Sequence, residues 1–146
     1  MNAAHIHLLL NHFPIIGWFF SFLLLAVGVY RKNKDFIRAA LLITAVTGVI
    51  AVPTYLTGEP AEDSLKSAPN FVEDIAEEHE EAAEFAIWTI CITAVASAIG
   101  LYFSIKKDQI PKPLFIAIVL LQLFTFTVIA RTNYLGGQIN HTEIRK

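Results

Sequence analysis

Histidines beside apolar segments are the residues of this chain that could do chemistry. The chain has five of them: His5, His7, His12, His79 and His141. Imidazole is a poor choice for a side chain that only faces lipid, whereas its ring nitrogens are common ligands of iron, zinc and copper. The histidines therefore predict one metal or haem site, provided that the fold gathers them at one place.

The composition indicates which kind of fold must do this. The chain has 146 residues, of which 55% are hydrophobic and only 16% are charged. A soluble domain of this length needs more polar surface to stay in solution. The composition therefore indicates an integral membrane protein with a single domain, residues 1–146. With one cysteine, Cys91, the chain has no means of forming an intrachain disulfide.

Four apolar stretches have the length of transmembrane helices: Phe13–Tyr30, Phe36–Thr57, Ala82–Ile105 and Pro113–Tyr134. Each has about the 17–25 residues that cross a hydrocarbon core as a helix. They predict an all-α, four-helix membrane bundle with both termini on the same side. Pro14 allows a first helix that starts there or one that starts near Ala3 and kinks, and we favour the second. Gln122, inside the fourth stretch, is expected to make an interhelical hydrogen bond.

Basic residues are concentrated in two connections of the predicted bundle. Seven of the eleven lysines and arginines lie in residues 31–38 and 106–112, against two of the thirteen acids. By the positive-inside rule both connections face the cytoplasm. The termini and all five histidines are then expected at the outer surface of the membrane.

Local sequence around the last two histidines suggests how they reach the others. His79 lies in an acidic helical start, residues 73–84, where alanines at i−3, i+3, i+4 and i+7 leave a face on which a flat macrocycle could lie. Residues 59–70, before this helix, predict a surface loop. Gly136 and Gly137 permit a sharp turn that would fold His141 back over the bundle.

Haem b held by two histidines from different helices is the main interpretation. His12 and His79 are the preferred axial pair, and His7 with His141 is a candidate second pair, which gives one haem or two. Arg131 is a candidate partner for a haem propionate, as a fixed cation for a carboxylate. The expected function is electron transfer by a small b-type cytochrome-like protein.

Two other interpretations stay open. The same histidines suit a copper, zinc or iron ion without haem, although the Glu-x-x-His spacing of di-iron bundles is not found, because Ala76 stands three residues before His79. A cofactor-free accessory subunit of a respiratory membrane complex would instead place these rings at the lipid headgroup level. No nucleophile, phosphate-binding loop or acid–base pair indicates a stand-alone enzyme.

Short motifs at both ends of the chain resemble a family of small four-helix bacterial membrane proteins, described mainly as a domain of unknown function. The shared motifs are a histidine five residues before His-Phe-Pro, here His7 and His12, and Gly-Gly four residues before a histidine, here Gly136, Gly137 and His141. The chain departs from the family where leucine replaces the proline after the first histidine, and where Gln-Ile-Asn replaces apolar residues before the last.

Members of that family occur fused to Rieske-type iron–sulfur domains, so the resemblance implies redox work in the lipid bilayer. Because the family is bacterial, it also implies that the outer surface is the periplasmic side of an inner membrane. A Rieske-type protein, cytochrome c or a quinone would then be the redox partner, and no nucleic-acid partner is expected. A homodimer and a place in a larger complex both stay open.

Overall fold

Five α-helices make up the described chain. The computed structural model describes residues 3–69, 71–141 and 145. The helices are α1 (Ala3–Tyr30), α2 (Lys34–Leu56), α3 (Gly58–Leu65), α4 (Glu73–Lys107) and α5 (Lys112–Asn140). By length and composition, four of them are able to cross a membrane: α1, α2, α4 and α5. The prediction of an all-α bundle of four long helices is confirmed.

The four long helices form an antiparallel ring. α1 packs against α2 and α5, α4 packs against the same two helices, and the short α3 lies against α1 and α2. At one end, which we call the histidine end, hydrogen bonds join His7 of α1 to Thr54 of α2 and His79 of α4 to Thr132 of α5. The start of α1 and the end of α5 therefore lie at the same end of the bundle.

The two basic connections meet at the opposite end, which we call the basic end. Asp108 ends α4 in a left-handed backbone conformation with φ 55°. Its carboxylate forms ion pairs with Lys34 and Arg38, both in the first turns of α2. Ion pairs across 70 or more residues of sequence therefore hold the two connections together.

Small and hydroxyl-bearing residues fill the centre of the bundle. A Cβ on Gly48 of α2 would collide with the Cβ of Ala94 of α4, so these two helices are in close contact. Gln122 is fully buried, and its Nε2 donates to Thr44 Oγ1 at 2.7 Å and to Ser21 Oγ at 3.3 Å. The interhelical hydrogen bond predicted for Gln122 is therefore confirmed.

An apolar cluster separates this polar layer from the histidine end. Its members are Trp18, Ala51, Ala86, Ile90 and Ile129. Trp18 is fully buried and donates its indole N–H to the backbone oxygen of Gln122 at 3.2 Å. The cluster is thus anchored to the polar layer on one side, and its other members line the cavity described below.

Two expectations about irregular segments were wrong. Residues 59–70, expected as a surface loop, contain most of α3, and Pro60 is accepted in its first turn because the missing N–H is unpaired there anyway. The turn at Gly136 and Gly137 is absent, since α5 runs through both glycines to Asn140 and His141 N donates to Gly137 O at 3.0 Å. By contrast, α1 does start at Ala3, with Pro14 inside it.

Candidate functional site

A cavity of about 430 Å³ lies at the histidine end, with walls from all five helices. Its volume falls within the range of about 300–1,000 Å³ that is typical of ligand and cofactor pockets. Four of the five histidines line it: His7, His12, His79 and His141. The remaining histidine, His5, is exposed and is not a lining residue. Histidines that are up to 134 positions apart in sequence therefore meet in one cavity.

His7 is held in the cavity wall by the end of α2. Its ring Nδ1 lies 3.1 Å from Thr54 O and 3.2 Å from Thr57 Oγ1, and the side chain is half-buried. Because a carbonyl oxygen can only accept, Nδ1 of the neutral ring carries the proton and Nε2 keeps its lone pair. Metal-binding histidines are typically oriented in this way, through a hydrogen bond from the other ring nitrogen.

His79 is held in the same way by α5. Its Nδ1 donates to Thr132 O at 3.0 Å. The half-buried ring lies against Gly136, where an added Cβ would be 2.9 Å from His79 Cε1. Two imidazoles from different helices therefore line one cavity, and in the neutral ring each has an unprotonated Nε2.

The other two lining histidines, His12 and His141, are exposed. His12 Nδ1 lies 2.8 Å from the backbone oxygen of Leu8 in its own helix. His141 follows the last residue of α5 and caps that helix. Their exposure distinguishes them from His7 and His79, and it places them at the rim of the cavity.

The alanine face predicted around His79 is divided between two surfaces. Ala83 and Ala86 line the cavity. Ala76 is buried, and Ala82 lines a neighbouring depression instead. Small apolar side chains therefore form the cavity wall beside His79 only where Ala83 and Ala86 lie.

Arg131 lies outside the cavity, in that neighbouring depression between α4 and α5. We call it the α4–α5 depression; it has a volume of about 410 Å³ and is lined by Glu78, Glu81, Ala82, Phe85, Phe124, Thr127, Val128, Arg131 and Thr132. The Arg131 guanidinium lies 3.4 Å from Glu78 Oε1. The structure does not bring Arg131 to the four histidines, and the propionate contact predicted for it stays a prediction.

Asn11 is a lining residue that the sequence analysis missed. It follows His7 by one helical turn, and its Oδ1 is buried without a hydrogen-bond partner in the described part of the chain. Buried polar atoms are nearly always paired, so this amide is a candidate contact for a bound group. In the sequence, only its spacing of four residues from His7 indicated that Asn11 lies on the same face of α1 as that histidine.

Charge in the cavity is one-sided. Glu59, Glu62 and Glu80 line it, and no lysine or arginine does so among residues 3–69, 71–141 and 145. Carboxylates around a site stabilise a cationic centre and disfavour an anionic one. The lining charges therefore favour a cationic centre, whereas the two anionic propionates of a haem would meet no lysine or arginine among these lining residues.

The number of ligands that a site requires differs between a bare ion and haem. Within the described residues no group of three or more His, Cys, Asp or Glu side chains is arranged to hold a metal ion. Structural and catalytic zinc sites use at least three protein ligands, whereas haem iron takes its protein ligands only at the axial positions. His7 and His79, beside a wall of small residues, match that smaller requirement.

Comparisons with protein-family models, curated proteins and solved structures were then made. None of the three found a match. The resemblance noted from the sequence therefore rests on its short histidine and glycine motifs alone.

Proposed function

We propose that this protein is a membrane-bound, b-type cytochrome-like electron carrier that holds one haem b in the histidine-end cavity. His7 and His79 are the axial ligands in this proposal. One observation carries it: two half-buried imidazoles from different helices line one cavity, and each donates Nδ1–H to a backbone oxygen of a neighbouring helix. Nε2 is then the ligand atom on both rings.

The membrane setting belongs to the same proposal. The four long helices cross a bacterial inner membrane, with the basic end in the cytoplasm and the histidine end, with both termini, on the periplasmic side. Their length and apolar composition support this, and so do large apolar side chains that face outward, such as Val49, which is 73% exposed. Lipid contact removes the cost that such exposure has in water.

The ligand pair differs from the His12 and His79 pair expected from the sequence. His7 is preferred because α2 fixes its ring, whereas His12 is exposed and bonded only within α1. A single cavity of about 430 Å³ supports one haem rather than two. His12 and His141 then lie at its rim.

Bound haem would supply a one-electron redox couple. The residues of the chain orient its two axial imidazoles through Thr54 and Thr132. The apolar cluster around Trp18 closes the inner side of the cavity and keeps the polar layer of Gln122 away from it. Electrons would therefore enter and leave at the histidine end, where a Rieske-type protein, cytochrome c or a quinone is able to approach.

Reduced-minus-oxidised absorption spectra of the full-length protein, purified in detergent from haem-replete cells, test this proposal. We expect a Soret band and a sharp α band, and their loss in His7→Ala and in His79→Ala. His5→Ala is the matched control, since His5 is on the same helix as His7 but outside the cavity. Wild-type protein without these bands would overturn the haem assignment.

Metal analysis of the same preparation separates the remaining possibilities. Stoichiometric copper, zinc or iron without haem bands would identify a non-haem metal protein. Protein free of both, with unchanged stability in His7→Ala and His79→Ala, would identify the cofactor-free accessory subunit. Retention of the bands in His7→Ala together with their loss in His12→Ala would restore the pair expected from the sequence.

A further inference from the structure

The α4–α5 depression is a second amphipathic site at the histidine end, separate from the cavity. Its polar part holds Arg131, Glu78 and Glu81, and its apolar part holds Phe85 and Phe124. The Arg131–Glu78 ion pair is loose, at 3.4 Å, between side chains that are 69% and 54% exposed. Exposed pairs of this kind contribute little to stability, so both groups are available to a ligand.

The apolar part of the depression has an aromatic wall. The Phe85 and Phe124 rings pack edge to face, with centroids 6.1 Å apart and an interplanar angle of 87°. Both side chains are more than half exposed. An aromatic ring of a ligand could add to this pair in the offset or edge-to-face geometry that such rings prefer.

The charges select the kind of headgroup that fits. Two carboxylates face one guanidinium, so the polar part of the depression carries net negative charge. A phospholipid phosphate would be repelled by the carboxylates, whereas a neutral head with O–H groups would donate hydrogen bonds to them. Arg131 in turn is able to donate to an oxygen that gains negative charge or becomes a carbonyl.

The depression is adjacent to the proposed axial ligand His79. Glu78 is the residue before His79, and Thr132 lines both the depression and the cavity. The carbonyl of Thr132 accepts the Nδ1–H of His79. The cavity and a ring held in the depression would therefore lie on opposite sides of the contact between α4 and α5, with Thr132 between them.

We propose that the α4–α5 depression binds a lipid-soluble quinol, the electron donor of this protein. The hydroxyls meet Glu78 and Glu81, the ring lies against Phe85 and Phe124, and the isoprenoid tail runs into the lipid. The donor role of the quinol rests on the proposed haem function. The binding of a quinol rests only on the residues of the depression.

Oxidation of the quinol releases electrons and protons, and each needs a destination. The quinol loses two electrons and two protons and becomes the quinone. The two O–H protons pass to water at the histidine end. The two electrons would leave one at a time, through the haem that His7 and His79 would hold, to a one-electron carrier protein at the same surface.

Photolabelling of the full-length protein in detergent with a short-tailed azidoquinone tests the site, with mass spectrometry to locate the label. We expect the label in residues 78–85 or 124–132, displaced by excess decylquinone. Arg131→Gln should lower labelling by about tenfold, which corresponds to the loss of one charged hydrogen bond. Glu81→Gln should weaken displacement of the label by decylquinol to a similar extent, because the carboxylate accepts a hydrogen bond from the quinol O–H and not from the quinone. Lys66→Gln, which removes an exposed cation paired with Asp63 outside the depression, should leave labelling and displacement unchanged.

His79→Ala separates this inference from the haem proposal. That variant should lose the haem bands and still be labelled like the wild type. Specific labelling of a protein that never contains haem would leave the binding site standing and refute the donor role. Label spread over all lipid-facing helices, displacement by phospholipid as efficient as by decylquinone, or no response to Arg131→Gln and Glu81→Gln would overturn the site itself.

Discussion

The imidazole of His79 lies directly on Gly136. A Cβ at position 136 would be 2.9 Å from Cε1 and 3.3 Å from Nδ1 of that ring, closer than side-chain carbons normally approach. The same ring donates from Nδ1 to Thr132 O, one turn earlier in α5. One helix therefore provides both the hydrogen-bond acceptor and the space that fix the orientation of His79.

Gly136→Ala is expected to displace the His79 ring and weaken haem binding. Overpacking of this kind costs about 1–3 kcal/mol of stability, so a control with a similar packing defect is needed. Gly48→Ala is that control, because its Cβ would collide with Ala94 in the bundle centre, away from the cavity. Haem content and melting temperature should both fall in Gly136→Ala, whereas Gly48→Ala should lose stability and keep its haem content per folded protein.

Thr57 should orient His7 through its hydroxyl. Thr57 Oγ1 donates to Thr54 O at 2.8 Å and lies 3.2 Å from His7 Nδ1. Its side chain makes no capping hydrogen bond to α3, so its removal does not uncap that helix. Thr57→Val is expected to lower haem affinity by about tenfold, the lower end of what loss of such a supporting contact costs.

Thr57→Ser keeps the hydroxyl and is the matched control for that change. Haem retention after repeated detergent exchange, measured from the Soret absorbance per protein, compares the two variants. Equal retention in Thr57→Val and Thr57→Ser would mean that the Thr54 carbonyl alone holds the His7 ring.

Apolar stretches and charged connections predicted the architecture well. Four long apolar segments require four long helices, and the short basic connections require antiparallel neighbours. The ion pairs that join Asp108 to Lys34 and Arg38 confirm that the two basic connections lie together. The number of long helices and the pairing of the basic connections could be predicted because helix length and loop charge are local properties of the sequence.

The contacts that orient the candidate ligands could not be predicted in the same way. Small and hydroxyl-bearing residues mark the inner faces of the helices, but they do not reveal which backbone oxygen a histidine reaches. The acceptors for His7 and His79 are backbone oxygens of Thr54 and Thr132, and every residue has such an oxygen. The glycine at position 136 was taken for a turn because close helix approach and left-handed backbone both select glycine.

Asp108 should make the basic end sensitive to acid. The hydrogen bond and charge of Lys34, with a further contribution from Arg38, hold the pKa of the Asp108 carboxyl below its ordinary value. A lowered folded-state pKa means that the stabilisation is complete above the unfolded-state pKa and is lost as the pH falls through the folded-state pKa. The loss is therefore expected below about pH 4, the ordinary range of aspartate.

Asp108→Asn isolates this charge, since asparagine also tolerates the left-handed conformation. Melting temperatures in detergent should be lower for Asp108→Asn than for the wild type at neutral pH, by a small amount because the groups are exposed. The two curves should converge on acidification. A difference that stays constant down to about pH 2 would show that packing rather than charge distinguishes the two proteins.

Glu80 is expected to lower the midpoint potential of the haem. Its carboxylate lines the cavity together with Glu59 and Glu62, and negative charge near the iron stabilises the ferric state, which carries one more positive charge than the ferrous state. Glu80→Gln should therefore raise the potential, on the order of tens of millivolts for an exposed carboxylate on the cavity wall. Spectroelectrochemical titration measures the shift.

Glu84→Gln is the matched control, because Glu84 is exposed one turn further along α4 and lines neither the cavity nor the α4–α5 depression. The midpoint potential of the haem in Glu84→Gln should stay close to that of the wild type. An equal shift in both variants would mean that the iron responds to the overall charge of the acidic helix start. A shift in Glu80→Gln alone would locate the iron within the cavity, next to the face of α4 that carries His79.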